Sequence, residues 1–374
     1  MSNSGAGQVL AGRLVLDGEV TPGRIEVAGA RIVDVVPDAA AAAGPYLAPG
    51  FVDVHVHGWG GHDAMDGPSA LDGMARALLQ HGVTSFVPTA VTAPFERLLA
   101  FANDVRAWFA HAPADGAAPL GFNIEGPCIS FEKKGAQNEA YIQDPMAVLD
   151  ELEPLLEGLR IMTVAPERFG ALELIRRLAE AGVSPSLGHS MATADEAAAG
   201  YAAGARTTTH LFNAMSGIDN HRPGLAVTAL TDDGAFVELI ADGLHVERAV
   251  WPIIARSKPR DRLILVTDGI TLAGVGEGVF KLGDLEVEVR DGACRLVSDG
   301  RLAGSVIALD SAVRNVVESG IGLVDAVRAA TRNPLDLLGV TDRGRLAPGQ
   351  LADLVELDDD LGVNRVMKSG RWLA

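Results

Sequence analysis

The stretch FVDVHVHG, residues 51–58, decides the fold. It follows a Pro-Gly pair, is mostly apolar or β-branched, and ends in glycine, which is typical of a buried strand that stops at a loop. Because side chains alternate along a strand, His55 and His57 point to the same side. Two imidazoles at this spacing can share a divalent metal ion. A single strand histidine is more often a hydrogen-bonded core residue, so this interpretation needs further ligand-type residues downstream.

Seven further strand patterns follow, and the segments between them have helical periodicity. With the first stretch they give eight strands, at residues 51–57, 85–90, 121–125, 161–165, 184–189, 207–212, 236–242 and 263–268. Helical patterns mark, among others, residues 70–81, 95–109, 171–181 and 193–202. The repeat predicts an α/β protein, a (β/α)8 TIM barrel with its active site at the carboxyl ends of the strands. An open doubly wound sheet is the alternative, but no glycine-rich dinucleotide-binding motif follows the first strand.

The two ends of the chain predict a second, smaller domain. Both ends carry short β-rich runs, and an alanine tract at residues 39–43 indicates a linker. We expect residues 1–48 and 345–374 to form one small β-sandwich domain beside a barrel of residues 49–344. Within the barrel, residues 276–304 indicate a β-hairpin arm, since Asp291-Gly292 is a hairpin turn signal. Helical patterns follow at residues 306–318 and 323–330, and the second ends before Asn333-Pro334.

Ligand-type residues stand at the ends of the predicted strands. They are His55, His57, Glu125, His189, His210 and Asp268, with His245 just past the seventh strand. Each alone has an ordinary structural explanation, such as a helix cap or a core hydrogen-bond donor, but together they favour a metal site on one face of the barrel. Imidazole and carboxylate ligands without sulfur suit zinc, iron(II), manganese or cobalt and leave the choice among them open. We take zinc as the first expectation.

The same set predicts a hydrolytic mechanism. Glu125, His189 and His210 supply three ligands and leave one coordination position open, as in catalytic sites. His55 and His57 offer a second site that shares Glu125, so one or two ions per chain are expected. Asp268 is positioned to act as general base and then general acid. A Ser/His/Asp mechanism is the rival, but no G-x-S-x-G motif is present.

Composition limits the partners and the compartment. A net charge of −18 argues against nucleic acid or an anionic membrane as a partner. Two cysteines suit a reducing compartment, and no apolar run approaches the roughly 20 residues of a membrane span. We expect a cytoplasmic protein that acts on a small molecule.

Several segments together resemble a known family. They are PGFVDVHVHG, NIEGPCISFEKKGAQN, SLGHS, HLFNAMSGIDNHRPG, IADGLHV, VTDGITLAG and GRLAPGQLADLVELD. The chain is similar in these segments to N-acetylglucosamine-6-phosphate deacetylases of the amidohydrolase superfamily. The resemblance implies a barrel with a β-sandwich, a homodimer, and removal of acetate from an amino-sugar phosphate.

The resemblance also implies roles for individual residues. It implies metal ligation by Glu125, His189 and His210, and catalysis by Asp268. The substrate-binding residues that it implies are Gln137, Asn213, Ala214, His221, Arg222 and His245, with Arg222 as the counter-charge of a phosphate, from its own or the neighbouring subunit.

Two positions depart from the family pattern. Gln137 stands where the family usually has a histidine that touches the substrate carbonyl, and a glutamine cannot carry a proton's charge there. The segment HRPG lacks an acidic residue that many relatives carry between Arg and Pro, which shifts Arg222. Both changes fall on substrate-facing loops and leave the ligand set intact.

The leading hypothesis is a metal-dependent hydrolase of amino-sugar catabolism that deacetylates N-acetylglucosamine 6-phosphate. The same chemistry on N-acetylgalactosamine 6-phosphate or on an unphosphorylated N-acetyl sugar is the first alternative. The second is a sensor that binds a sugar phosphate without turnover, against which the intact ligand set and Asp268 argue.

Overall fold

The computed structural model describes residues 7–282 and 285–374, and its centre is a parallel barrel. Eight strands follow one another in chain order around it. They are Phe51–Val56, Val83–Ala90, Phe122–Ile124, Leu159–Val164, Ser184–Leu187, Thr207–Thr208, Phe236–Ile240 and Leu263–Val266. The predicted barrel is confirmed, and each observed strand overlaps its predicted range. Several strands end earlier than predicted, so most of the ligand-type residues lie just past the strand ends.

The barrel closes between its first and last strands through side-chain and loop contacts. Asp53 is fully buried, and its carboxylate accepts a hydrogen bond from the Thr267 hydroxyl at 2.6 Å. The Asp268 N–H donates to the His55 carbonyl at 2.9 Å, and the His57 N–H donates to the Gly269 carbonyl at 2.8 Å. These bonds hold the ends of the two strands together at the face that carries the histidines.

Helices surround the barrel and bury one face each against it. Their bounds are Pro68–Leu79, Phe95–Phe109, Pro145–Glu151, Glu153–Leu156, Ala171–Glu180, Ala194–Ala202, Leu225–Thr231, Trp251–Ser257, Leu309–Glu318, Leu323–Ala330 and Arg332–Leu338. Helix Ala171–Glu180 shows the principle, since its buried residues are Ala171, Leu174, Ile175 and Leu178. Thr193 and Glu196 form a capping box at the start of the helix Ala194–Ala202.

The last helix was not expected from the sequence. The helix Leu323–Ala330 ends where predicted, but Arg332–Leu338 then forms a new helix that contains Asn333-Pro334. Proline is tolerated there because the N–H groups of a helix's first turn have no partner within the helix. The buried Asn333 amide donates to the Leu263 carbonyl at 2.7 Å and thereby ties this helix to the start of the eighth strand.

Both chain ends contribute to a second sheet of seven strands, as expected. The strands are Gln8–Val15, Val20–Ala28, Arg31–Pro37, Tyr46–Pro49, Leu354–Leu357, Val363–Lys368 and Arg371–Trp372. Leu14, Ile25 and Met367 belong to a core of this sheet, whereas Val15 and Val355 belong to the main core around the barrel. The alanine tract Ala39–Ala43, expected as a linker, forms a 3-10 helix capped by Asp38. We propose that residues 1–48 and 345–374 form one domain and residues 49–344 the other. The separate core around Leu14, Ile25 and Met367 supports this division.

The arm has three strands, Gly278–Leu282, Leu285–Arg290 and Ala293–Leu296. Asp291 and Gly292 form the second turn with φ values of +51° and +72°, the left-handed backbone that their sequence predicts. Arg301 donates from the base of the arm to the Gly135 carbonyl at 3.1 Å, so the arm braces the loop that carries Gln137. No described helix combines the length and the apolar character that a bilayer span needs.

Candidate metal centre

The residues predicted from the strand ends come together at the carboxyl end of the barrel. Three of them hold a backbone that non-glycine residues rarely adopt, with φ of +47° at His189, +30° at His210 and +49° at Asp268. Such conformations cost about 1–3 kcal/mol each and concentrate at functional sites, where the surrounding structure enforces them. The unusual backbone turns these three side chains inward from the ends of their strands.

Glu125 is the hub of the cluster and is almost fully buried. One carboxylate oxygen, Oε1, lies 2.9 Å from His189 Nε2 and 2.9 Å from His210 Nε2. These three residues form a group whose ligand atoms all lie within 4.8 Å of one another. Three converging donors of this kind are the number that a catalytic metal site uses.

A second group shares the same carboxylate. His57 Nε2 lies 3.3 Å from Glu125 Oε2, and His55 Nε2 lies 3.7 Å from Glu125 Oε1. His55, His57 and Glu125 also bring one ligand atom each within 4.8 Å of the others. Glu125 therefore stands between two pairs of imidazoles, one from the first strand and one from the loops after the fifth and sixth.

Hydrogen bonds at the far side of the rings orient three of the four imidazoles. His55 Nδ1 donates to Glu238 Oε2 at 2.9 Å, His57 Nδ1 to the Thr89 carbonyl at 3.1 Å, and His189 Nδ1 to the Lys133 carbonyl at 2.7 Å. With the proton on Nδ1, the lone pair of Nε2 faces the cluster, as in metal-binding histidines. His210 differs, because no described residue bonds its Nδ1.

The electrostatics of the cluster favour a positive charge at its centre. Burial opposes protonation of His55, but the carboxylates around it, Glu238 first, outweigh burial and raise its pKa to about 9. Burial alone would raise the pKa of Glu125, yet the imidazoles of His189, His210 and His57 hold that pKa well below its ordinary value. His55 Nε2 is buried without a hydrogen-bond partner among the described residues. The negative charge of the carboxylates, the nitrogen and oxygen donors, and the unpartnered His55 Nε2 all fit a divalent cation.

Asp268 lies next to both histidines of the first strand. Its Oδ1 is 3.2 Å from His57 Nε2 and 3.5 Å from His55 Nε2. Burial would raise the pKa of this carboxyl, but the hydrogen bond to His57 and the charge of His55 leave it below the ordinary value. An ionised carboxylate beside a cation site can accept a proton from a water molecule.

Gln137 is in the cluster, but its side chain faces the protein. Its Oε1 accepts a hydrogen bond from the Thr92 N–H at 2.9 Å, which fixes the orientation of the amide. Its Nε2 therefore points at Glu125 and donates to Oε2. The amide braces the hub carboxylate in this structure, a contact that the sequence did not predict.

The other predicted substrate residues surround the cluster at different depths. Asn213 follows His210 and donates from Nδ2 to the His210 carbonyl at 3.2 Å, and Ala214 has φ of +47°. His221 and Arg222 lie on the exposed loop beyond, where Asp219 accepts from both backbone N–H groups at 2.8 Å. The structure thus places these two outside the cluster of their own chain.

His245 belongs to a separate pair. Its Nδ1 donates to Asp242 Oδ2 at 2.6 Å, and its ring is mostly buried. Burial would raise the pKa of Asp242, but the bond from His245 leaves that pKa below its ordinary value. The pair fixes the ring and uses its Nδ1, so Nε2 is the ring nitrogen that can contact another partner.

Three supporting groups were missed from the sequence. Thr89 and Lys133 act through backbone carbonyls, for which side-chain patterns carry no signal. Glu238 did leave a signal, because it is a carboxylate inside the otherwise apolar strand FVELI, where burial requires a partner. The same argument applies to Asp53 in FVDVHV.

Sequence comparison agrees with the geometry. Residues 46–373 match the model of the Amidohydrolase family. An N-acetylgalactosamine-6-phosphate deacetylase from Escherichia coli O157:H7 is 38% identical over 87% of this chain and 87% of its own length. The N-acetylglucosamine-6-phosphate deacetylase of Homo sapiens is 37% identical over 97% of this chain and 94% of its own.

Solved structures agree as well. The N-acetylglucosamine-6-phosphate deacetylase from Thermotoga maritima superimposes with a TM-score of 0.92 at 34% identity, covering 98% of this chain and 99% of that one. A variant of the enzyme from Mycobacterium smegmatis, in complex with N-acetyl-D-glucosamine-6-phosphate, gives 0.89 at 35% identity, covering 99% and 100%. The chain therefore belongs to the amidohydrolase family and, within it, to the N-acetylglucosamine-6-phosphate deacetylases.

Proposed function

We propose that this protein removes acetate from an N-acetylhexosamine 6-phosphate in amino-sugar catabolism, with N-acetylglucosamine 6-phosphate as the first candidate substrate. The observation that carries the proposal is the convergence of four imidazoles and two carboxylates at the end of the barrel. The relatives support the substrate class, since curated enzymes at 33–39% identity act on 6-phosphates of acetylated hexosamines by name.

In this proposal Glu125, His189 and His210 hold a divalent cation, and His55 and His57 with Glu125 hold a second when both sites are filled. Zinc is the first candidate because the donors are nitrogen and oxygen atoms in small number, and iron, manganese and cobalt share those preferences. A cation there supplies Lewis acidity, which polarises an amide carbonyl and makes water more acidic.

Asp268 is the catalytic residue of the proposal. Its ionised carboxylate takes a proton from the attacking water and returns it to the departing 2-amino group of the sugar. The Asp268 carboxylate therefore carries the proton only between these two transfers and is ionised again when the amine departs. In the metal-free site the hydrogen bond to His57 and the charge of His55 hold the pKa of this carboxyl below its ordinary value. A cation bound there would supply the positive charge instead and keep the carboxylate available as a base at neutral pH.

The remaining residues bind the sugar. Asn213 and Ala214 lie beside His210 and are proposed to hold the phosphate, with His221 and Arg222 supplying positive charge from the exposed loop. His245 is proposed to contact a sugar hydroxyl or the acyl group through Nε2, since its Nδ1 is bonded to Asp242. Gln137 is proposed to reach the substrate carbonyl when the amide leaves Glu125, and to brace Glu125 otherwise.

We also propose a cytoplasmic homodimer. The two cysteines, Cys128 and Cys294, are buried and unpaired, which suits a reducing compartment. Loops at the carboxyl end of the barrel expose large apolar side chains, with Phe131 at 52%, Met191 at 47% and Ile218 at 63% exposed. A second copy would cover such a surface and bring its Arg222 near the site.

A specific observation favours the galactosamine substrate as the second candidate. One of the relatives, at 38% identity, is an N-acetylgalactosamine-6-phosphate deacetylase. The two sugars differ only at one hydroxyl, so the metal site and Asp268 serve both equally. An unphosphorylated sugar stays a third possibility that leaves Arg222 without a role.

One experiment separates these candidates. Acetate release is measured on the two 6-phosphates and on unphosphorylated N-acetylglucosamine, with the metal content of the same protein determined in parallel. The proposal expects a cation in the protein and faster release from a phosphorylated sugar. No acetate release from any of them with any divalent metal would favour a sensor.

A further inference from the structure

Glu238 is a fully buried carboxylate that the proposed mechanism does not use. It lies in the middle of the seventh barrel strand, Phe236–Ile240, with apolar neighbours in the chain on both sides. An ionised carboxylate in such a place is costly unless it is paired and hydrogen-bonded. Its partners therefore indicate why it is there.

A single oxygen of Glu238 connects both ligand groups. Oε2 accepts a hydrogen bond from His55 Nδ1 at 2.9 Å and another from the backbone N–H of His210 at 3.1 Å. The first bond fixes a ring of the group His55, His57 and Glu125. The second holds the backbone of a residue of the other group at its unusual φ of +30°.

The bond to His55 determines which nitrogen of the ring is available. The Nδ1 proton points at Glu238, so Nε2 points at the opposite carboxylates, 3.7 Å from Glu125 Oε1 and 3.5 Å from Asp268 Oδ1. Among the described residues Nε2 has no hydrogen-bond partner. A carboxylate behind an imidazole whose other nitrogen faces a cation is a recurrent arrangement that orients the ring and raises its basicity.

We infer that Glu238 is a positioning residue, which presents His55 to a cation through Nε2 and couples the two ligand groups through His210. The inference rests on the proposed metal site, but it does not depend on which sugar is hydrolysed. Removal of such a partner lowers metal affinity by about 10- to 100-fold.

Asp53 supplies a matched control. It is also a fully buried carboxylate, two residues before His55, and it accepts from the Thr267 hydroxyl at 2.6 Å and from the backbone N–H of His55 at 3.2 Å. Within the described part of the chain, no imidazole nitrogen donates to it. A loss of metal affinity caused only by removing a buried charge near the first strand would therefore appear in the variants at both positions.

The test compares Glu238→Gln, Glu238→Leu and Asp53→Asn with the parent. Each full-length chain is stripped of metal and titrated with Zn²⁺ against a chelator, and with Co²⁺ for its visible absorption spectrum. We expect affinity for at least one ion to fall about 10-fold in Glu238→Gln and further in Glu238→Leu, with an altered cobalt spectrum. Asp53→Asn should keep the parent's affinity and spectrum, because the amide oxygen still accepts from the His55 N–H and the amide nitrogen can donate to the Thr267 hydroxyl.

A second comparison isolates the route through His55. The glutamine oxygen still accepts from the His210 N–H, so Glu238→Gln should have little further effect once His55 is alanine. Parental affinity in Glu238→Gln, equal losses in Asp53→Asn, or full additivity with His55→Ala would each overturn the inference. Since these measurements record metal and not turnover, they stand apart from the fate of the proposed deacetylase activity.

Discussion

At the residue scale, the site depends on residues that lie just past the strand ends and have a left-handed backbone conformation. Asp268 is held with φ of +49° because its N–H donates to the His55 carbonyl at 2.9 Å and its carbonyl accepts from the Ser305 N–H at 2.8 Å. The neighbouring strand and loop thus enforce a conformation that costs energy locally. The carboxylate consequently faces His57 instead of solvent.

Replacing Asp268 by asparagine should abolish proton transfer and leave the site otherwise intact. The amide has the same shape but cannot accept the proton, so we expect acetate release to fall by about 10²- to 10⁴-fold. Metal content should stay at the parental level because the proposed ligands are unchanged. Acetate release and metal content are measured on the same preparation, and a parental rate would remove Asp268 from the mechanism.

The raised pKa of His55 predicts how the metal-free protein responds to pH. The pKa is about 6.5 for an unperturbed histidine and about 9 in the folded chain, so the folded state binds the proton more tightly. This stabilisation, about 3 kcal/mol, is complete below pH 6.5 and is lost as the pH rises through 9.

Urea unfolding of the metal-free protein at about pH 6 and pH 9.5 measures this loss in the free energy of unfolding. The Glu238→Gln variant is the control, because it lacks the charge that contributes most to raising the pKa. It should lose less stability over the same pH interval. Equal losses in the two proteins would show that Glu238 does not set the proton affinity of His55.

The sequence revealed the residues that form the cluster but not those that support it. Histidines and carboxylates at successive strand ends can be recognised by type and position, and His55, His57, Glu125, His189, His210 and Asp268 do meet. The Lys133 carbonyl cannot be recognised, because every residue has a carbonyl and only the loop path directs this one to His189. The contact of Gln137 with Glu125 likewise depends on where Thr92 places an N–H.

At the element scale, strands and helices with clear periodicity were predictable, and those set by tertiary contacts were not. The helices Phe95–Phe109 and Leu323–Ala330 match their predicted ranges. The strand Thr207–Thr208 is much shorter than predicted, because the chain turns inward at His210 to form the site. The helix Arg332–Leu338 was hidden by Pro334, which signals a helix end in most contexts.

Asn333 should be a main anchor of that unexpected helix. Its buried amide donates to the Leu263 carbonyl at 2.7 Å and to the Arg260 carbonyl at 3.0 Å. In Asn333→Ala the Leu263 carbonyl loses this donor in a buried position, so the free energy of unfolding should fall by about 2–3 kcal/mol. Urea denaturation measures this free energy. The control is Asn103→Ala at an exposed position, which should change the free energy of unfolding by no more than about 0.5 kcal/mol from the parent. Equal effects of both variants would contradict the anchoring role.

At the scale of the whole molecule, three units pack together, and two of them, the barrel and the arm, meet near the site. The barrel supplies the ligands, the sheet built from both chain ends joins the main core through Val15 and Val355, and the arm braces the loop of Gln137 through Arg301. The repeat of strand and helix made the barrel predictable. The first strand of the arm, Gly278–Leu282, was not, because it pairs with Leu285–Arg290 on the edge away from the hairpin that the Asp291-Gly292 turn closes.

Arg222 provides a test of phosphate recognition in the assembled protein. It lies on an exposed loop, so its removal should leave the fold unchanged. If it binds phosphate, Arg222→Ala loses charge-assisted hydrogen bonds worth about 1.5–3 kcal/mol, and kcat/KM for the 6-phosphate falls about 10- to 100-fold.

The unphosphorylated sugar is the control for that variant, because its slower hydrolysis should not change. Size-exclusion chromatography shows in parallel whether the parent has twice the mass of one chain. A uniform loss on both sugars would assign Arg222 a structural role instead of phosphate binding.

The central claim is that Glu125, His189 and His210 hold a cation that the reaction requires. The most direct measurement removes the metal with a chelator, records acetate release from N-acetylglucosamine 6-phosphate, and then restores a divalent ion in measured amounts. We predict that release stops with the metal gone and returns as about one to two equivalents of ion per chain are bound. Undiminished release from protein shown to be metal-free would contradict the account.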